Sequence, residues 1–189
     1  MYMGRFDEAL AEISIAADLE PVSLGIIKDK GLILYYSRQY DQAIDLAKLA
    51  IELDFHFSAG HRLLCLAYEG KNMFDVALDE NDAWGVITGN HFKTMIFCAQ
   101  ILAASGLKDE AKKIVESIDP AEVQKGNDNR GLALVYLALG EYDAAFEFLE
   151  KSYESHELSL CSLKIDPKLD PLHSDQRFDN LISRMNFPQ

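Results

Sequence analysis

The chain repeats itself every 34 residues, and this period restricts the fold more than any other property of the sequence. GRFDEA at 4–9 returns as RQYDQA at 38–43, NMFDVA at 72–77, GLKDEA at 106–111 and GEYDAA at 140–145. Its last place is always alanine: Ala9, Ala43, Ala77, Ala111 and Ala145. Two places earlier stand Asp7, Asp41, Asp75, Asp109 and Asp143. Self-similarity at this length marks a stack of supersecondary units, each burying its apolar face on its neighbours rather than alone.

Other columns show what the units are. The place before the Asp holds Phe6, Tyr40, Phe74, Lys108 and Tyr142, aromatic except for the lysine. Twelve places before the last four alanines stand Gly31, Cys65, Ala99 and Ala133, all small, followed three residues later by Leu34, Tyr68, Leu102 and Tyr136. Small residues let two helices approach, and large ones fill the gap at the next level. The Asp suits the first turn of a helix, where the dipole is positive. Tyr40, Ala43, Ile44, Ala47, Ala50 and Ile51 share one helical face, and no strand-like alternation competes. An all-α chain of helix-turn-helix repeats is expected.

On these residues the chain resembles the tetratricopeptide repeat family, whose 34-residue signature runs W-x-x-L-G-x-x-Y, then A-x-x-x-F, then P. The matching places read Ile27, Lys30, Gly31, Leu34, Ala43, Ala47 and Phe55 in one repeat. In the next they read His61, Leu64, Cys65, Tyr68, Ala77, Asn81 and Gly89, and the resemblance covers residues 1 to about 155. It implies a right-handed α-α superhelix. Repeats are expected at 22–55, 56–89, 90–123 and 124–157, with a linker and capping helix at 158–189. Residues 1–21 read as the second helix of a repeat whose first helix is missing, so a fragment of a longer protein is expected. The alternative is an unpaired helix completed by a second subunit, a homodimer through the N-terminal helix.

Beyond the fifth repeat the signature stops, and three of the five prolines fall in the last 27 residues, LKIDPKLDPLHSDQRFDNLISRMNFPQ. Proline interrupts helices and extends the residue before it. Ser174 is the expected N-cap of a final amphipathic helix with Phe178, Leu181, Ile182 and Met185 on one face. Residues 131–188 are also similar to the C-terminal ends of tetratricopeptide regions in large bacterial signalling proteins, namely winged-helix transcription regulators, adenylate cyclases and serine/threonine kinases. That similarity implies an upstream effector and a chain end near residue 189.

With 31 acidic against 18 basic residues, the net charge of −13 repels phosphate backbones, so no direct nucleic-acid contact is expected. No apolar run reaches the length of a membrane span, and no secretory signal opens the chain. Cys65, Cys98 and Cys161 are odd in number and unclustered, which favours reduced, buried thiols in a cytoplasmic protein.

Catalysis requires a convergent acid, base or nucleophile. His56, His61, His91, His156 and His173 show no metal-binding helical spacing, and no phosphate-binding glycine loop or nucleophile elbow is present. Neither an enzyme, a cofactor nor a metal is expected. The carboxylates read as solvated helix faces, and Trp84 and Phe97 as core aromatics.

The family resemblance implies a concave groove lined by the first helix of each repeat. Counting from Leu24, Ser58, Phe92 and Gly126, fifth places hold Lys28, Arg62, Ile96 and Arg130. Ninth places hold Leu32, Leu66, Gln100 and Leu134, and Lys93 lies at a second place. The expected partner-binding set is therefore Lys28, Arg62, Leu66, Lys93, Gln100, Arg130 and Leu134. Its cations would attract an acidic or C-terminal carboxylate group of a protein or peptide. The competing reading is that they are solvated, or paired with acids such as Asp29 and Glu69. Repeats that clamp a chaperone C-terminus carry Asn at the ninth place, and here Leu or Gln stands there. Two functions follow: an interaction module that binds a peptide or protein, or a sensor or self-association domain governing an upstream effector.

Overall fold

The computed structural model describes residues 4–119, 121–123 and 128–187, and every regular element among them is helical. They form two compact units, one ending at Thr94 and one beginning at Met95. The first contains α1 (Phe6–Leu19), α2 (Leu24–Tyr36), α3 (Tyr40–Leu53), α4 (Ser58–Gly70), α5 (Phe74–Thr88) and the start of α6 (His91–Ser105). The second contains the rest of α6, α7 (Lys108–Ser117), α8 (Asn129–Leu139), α9 (Tyr142–Glu154), two 3-10 segments (Leu158–Ser162 and Pro167–Leu172) and α10 (Gln176–Arg184).

The 34-residue period is written into the backbone at the turns. Arg38, Asn72, Gly106 and Gly140 are left-handed, with φ of 63°, 59°, 94° and 84°, and Gly4 has φ 75°. After each of those four the chain closes the same pair of hydrogen bonds. The N–H groups of Arg38, Asn72, Gly106 and Gly140 donate to Tyr35, Glu69, Ala103 and Leu137 carbonyls at 2.9–3.2 Å. The next N–H groups, of Gln39, Met73, Leu107 and Glu141, donate to Leu34, Tyr68, Leu102 and Tyr136 carbonyls at 2.8–2.9 Å. This is the Schellman arrangement, which satisfies the last carbonyls of one helix and turns the chain straight into the next.

The alanine column marks where the two helices of a hairpin touch. Ala43, Ala77, Ala111 and Ala145 are all 0% exposed, and the Asp two places earlier lies in the first turn each time. Close approach is enforced elsewhere too: a Cβ on Gly31 would run into Leu63, and one on Gly70 would stand 2.7 Å from the Tyr40 ring. Lys108, which breaks the aromatic column, has a different task. Its Nζ donates to the Leu139 carbonyl at 2.9 Å, closing the C-terminal end of α8.

The period weakens at α7, which has 10 residues where α3 has 14 and α5 has 15. Pro120 follows Asp119 in the sequence, and a residue before proline is pushed out of the α region. Helix α8 starts at Asn129, capped by the Asp128 carboxylate, which accepts from Gly131 N at 3.2 Å. Gly126, from which the last groove count starts, and residue 124, which opens the last expected repeat, lie outside the described residues.

Beyond α9 the spacing outlives the sequence signature. Helix α10 begins at Gln176, 34 residues after Tyr142 begins α9. Where a preceding helix would lie, Pro167 and Pro171 leave two 3-10 segments instead. The N-cap of α10 is Asp175, accepting from Arg177 N at 2.9 Å, rather than Ser174; a carboxylate one residue nearer the helix answers its positive end better than a hydroxyl. Phe178 and Leu181 are buried with Leu160, Leu163, Leu169, Leu172, Phe146 and Leu149 in one core. Arg177 reaches back to Asp143 at 2.7 Å and lies 4.1 Å from the Phe146 ring. Arg184 repeats the device two turns later, against Glu150 and Tyr153.

Because nothing lies within 4 Å of a Cβ built at Gly106 or Gly25, alanine at each isolates the backbone. Gly106→Ala should destabilise by about 1–2 kcal/mol. Gly25→Ala, in helix α2 with ordinary φ, should stabilise by about 0.5–1 kcal/mol. Urea denaturation followed by circular dichroism checks both; equal shifts in one direction would contradict the left-handed turn account.

Candidate functional site

The structure distributes the seven residues of the expected groove over the two units, and it treats them differently. In the first unit, Lys28 on α2 and Arg62 on α4 occupy places 34 residues apart on two helices that pack side by side. Arg62 is exposed and enters no ion pair among the described residues. Lys28 is half-exposed and its Nζ lies 2.9 Å from the Asp29 carboxylate. Such a pair between adjacent surface residues contributes little and can exchange for another carboxylate. Leu66 is buried beneath this face. Lys93, in the first turn of α6, is half-buried, with its backbone N–H donating to Asn90 Oδ1 at 3.1 Å.

In the second unit the corresponding side chains are already engaged by the chain itself. Arg130 is only 9% exposed. Its guanidinium pairs with the buried Asp166 carboxylate and reaches Ser162 Oγ at 3.4 Å. Leu134, one turn further along α8, is packed with Leu160, Leu163, Leu169 and Leu172. The buried Gln100 donates to the Gly131 carbonyl at 2.9 Å and accepts from Lys168 Nζ at 3.1 Å. Lys168 also stands 4.8 Å from the Phe97 ring. Residues 158–172 thus lie on the face of α6 and α8 where a partner was expected.

What fastens that segment is a carboxylate that sequence reasoning passed over. Glu157 is buried, and its oxygens accept from the backbone N–H of Asn129 at 2.9 Å and of Arg130 at 3.2 Å. They also accept from Asn129 Nδ2 and Ser152 Oγ, both at 2.8 Å. A carboxylate at the exposed amides of a helix start is held by charge and by hydrogen bonds together. Nothing local in HELSL distinguishes this Glu from a solvated one; only the return of the chain onto α8 does.

Among the histidines, His61 is held inside the first unit. The buried His61 has Nδ1 2.8 Å from Glu80 Oε2 and Nε2 3.4 Å from the Phe55 carbonyl. Of the three cysteines Cys65 is buried as expected, whereas Cys98 and Cys161 are partly exposed. Trp84 and Phe97 are core residues. Among the described residues no group of three His, Cys, Asp or Glu could hold a metal, and no helix is long and apolar enough to cross a membrane.

Paired helices, a left-handed turn at a fixed period and alanine contacts define a helical-repeat protein of the solenoid class. Residues 131–155, which span α8 and α9, match the tetratricopeptide repeat family model, so the chain carries that repeat. Among solved structures it is similar to the crystal structure of MamA, with 19% identity and a TM-score of 0.53 over 82% of this chain and 91% of that one. At that identity the likeness is one of fold. No curated protein matches the sequence.

Removing the Arg130 guanidinium would strand Asp166 as a buried, uncompensated charge. Arg130→Ala should therefore destabilise by about 3–5 kcal/mol, whereas Arg62→Ala should stay within about 0.5 kcal/mol of the parent. Urea titration of the two variants checks this; an Arg130 variant of parental stability would contradict the assigned role.

Proposed function

We propose that the protein is a non-catalytic interaction module whose first unit receives an acidic peptide segment, a side-chain or C-terminal carboxylate, along α2 and α4. The observation that carries this reading is the exposed Arg62, without an acid partner among the described residues, beside Lys28 in a chain of net charge −13. A surface cation without an acid of its own chain can attract an anion of a partner. Leu66 beneath them adds apolar contact. The groove cations therefore reduce to Lys28, Arg62 and Lys93, because Arg130 is committed to the chain's own Asp166.

A pull-down from cell extract with the parent and a Lys28→Ala/Arg62→Ala variant tests the proposal. A partner of the parent should bind the variant roughly tenfold more weakly, two partly exposed charge pairs being lost, and added salt should weaken it further. A partner held equally by both proteins would remove the acidic-segment reading.

The self-association reading is favoured by α1. It buries none of its residues, and Ile15 and Leu19 are 59% and 80% exposed, with Val22 close behind in the sequence. A second copy pairing through this helix would cover them. Analytical ultracentrifugation should then show a dimer that Leu19→Lys dissociates. A monomer at all concentrations would exclude it.

A further inference from the structure

The second unit holds a cavity of about 710 Å³ that neither the groove nor the repeat contacts require. Val115 in the last turn of α7, Ile118 just beyond it and Val123 line the space. Leu132 and Tyr136 of α8 and Phe148 of α9 line it as well. The two rings are stacked, with centroids 5.3 Å apart and planes inclined by 10°. Apolar cavities of several hundred Å³ with a few polar groups at one end accommodate small molecules.

The polar end comes from the last turn of α9, through Lys151, Glu154 and Ser155. The two charges differ in availability. Lys151 Nζ is 2.6 Å from Glu147 and 4.5 Å from the centroid of the Phe148 ring, so its charge is answered on two sides. Glu154 is exposed and enters no ion pair among the described residues. It also stands at the negative end of the helix dipole. The phenol of Tyr136 reports the same field: burial first, and then Glu141 and Glu147, push its ionisation above the ordinary tyrosine range. An anion would meet that field unfavourably, and a cation favourably.

We propose that this cavity binds a small amphipathic organic cation, an aromatic or short alkyl body bearing a protonated amine. The body lies among Ile118, Leu132, Tyr136 and Phe148, and the ammonium meets the Glu154 carboxylate. Stacked rings supply dispersion and a face that attracts cations. The site shares no residue with α2 or α4 and does not depend on the acidic-segment reading of them.

Two probes of nearly equal shape separate charge from apolar fit: 2-phenylethylammonium and 3-phenylpropionate. Calorimetric titration of the full chain should show the ammonium binding about fivefold more tightly than the carboxylate, the preference one partly exposed ion pair supplies. Glu154→Gln should erase that preference and leave weak binding of both. Ile118→Trp, which fills the cavity, should abolish both. Should the tryptophan variant fail to fold, nuclear Overhauser contacts from the ammonium probe to the Tyr136 ring in the parent protein locate the site without mutation. Equal or reversed preference, no binding at millimolar concentration, or binding without contacts to Tyr136 would each overturn the proposal.

Discussion

The left-handed residue that closes each helix is the point on which the repeat depends. An L-residue with a side chain adopts that conformation at a cost of about 1 kcal/mol or more, yet it recurs at Arg38, Asn72, Gly106 and Gly140, every 34 residues. Two backbone hydrogen bonds at each turn satisfy two of the last carbonyls of the ending helix and, at Arg38 and Asn72, offset the strain. With the turn fixed, the second helix must start two residues later. An alanine five residues past the turn then always faces the first helix, and only a side chain that small lets the pair close.

Departures from the period show how the rest of the molecule is made. Helix α7 is shorter than α3 and α5, and a cavity bordered by the Tyr136 and Phe148 rings lies beside its end. Pro167 and Pro171 replace a helix by tight 3-10 segments, which bend back onto α8. There a local veto on helix geometry creates a feature that a regular array would lack. The lysine at 108 is a milder departure: it gives up an aromatic contact and closes a helix end instead.

The return of the C-terminal segment also sorts the basic residues. Arg130, Lys28 and Arg62 fall at equivalent places in the sequence, but burial divides them. Next to Asp166 and Ser162, Arg130 holds the chain's own end in place, and Glu157 anchors the same segment at the start of α8. Lys28 and Arg62 remain at a surface, where charge is worth little to stability.

The sequence by itself determined the helical class, the 34-residue unit, the buried alanine column and the amphipathic last helix. Each of these is a local property, repeated often enough for chance to be excluded. Three lone features were not legible in that way. Glu157 looks like any solvated acid, Arg130 like any groove cation, and the cavity beside Tyr136 has no motif at all. Tertiary structure decided them, because each rests on residues 27 to 36 apart meeting in space or on side chains from several elements enclosing one space. Periodicity reveals contacts made many times; a contact made once is visible only when the chain has folded onto itself.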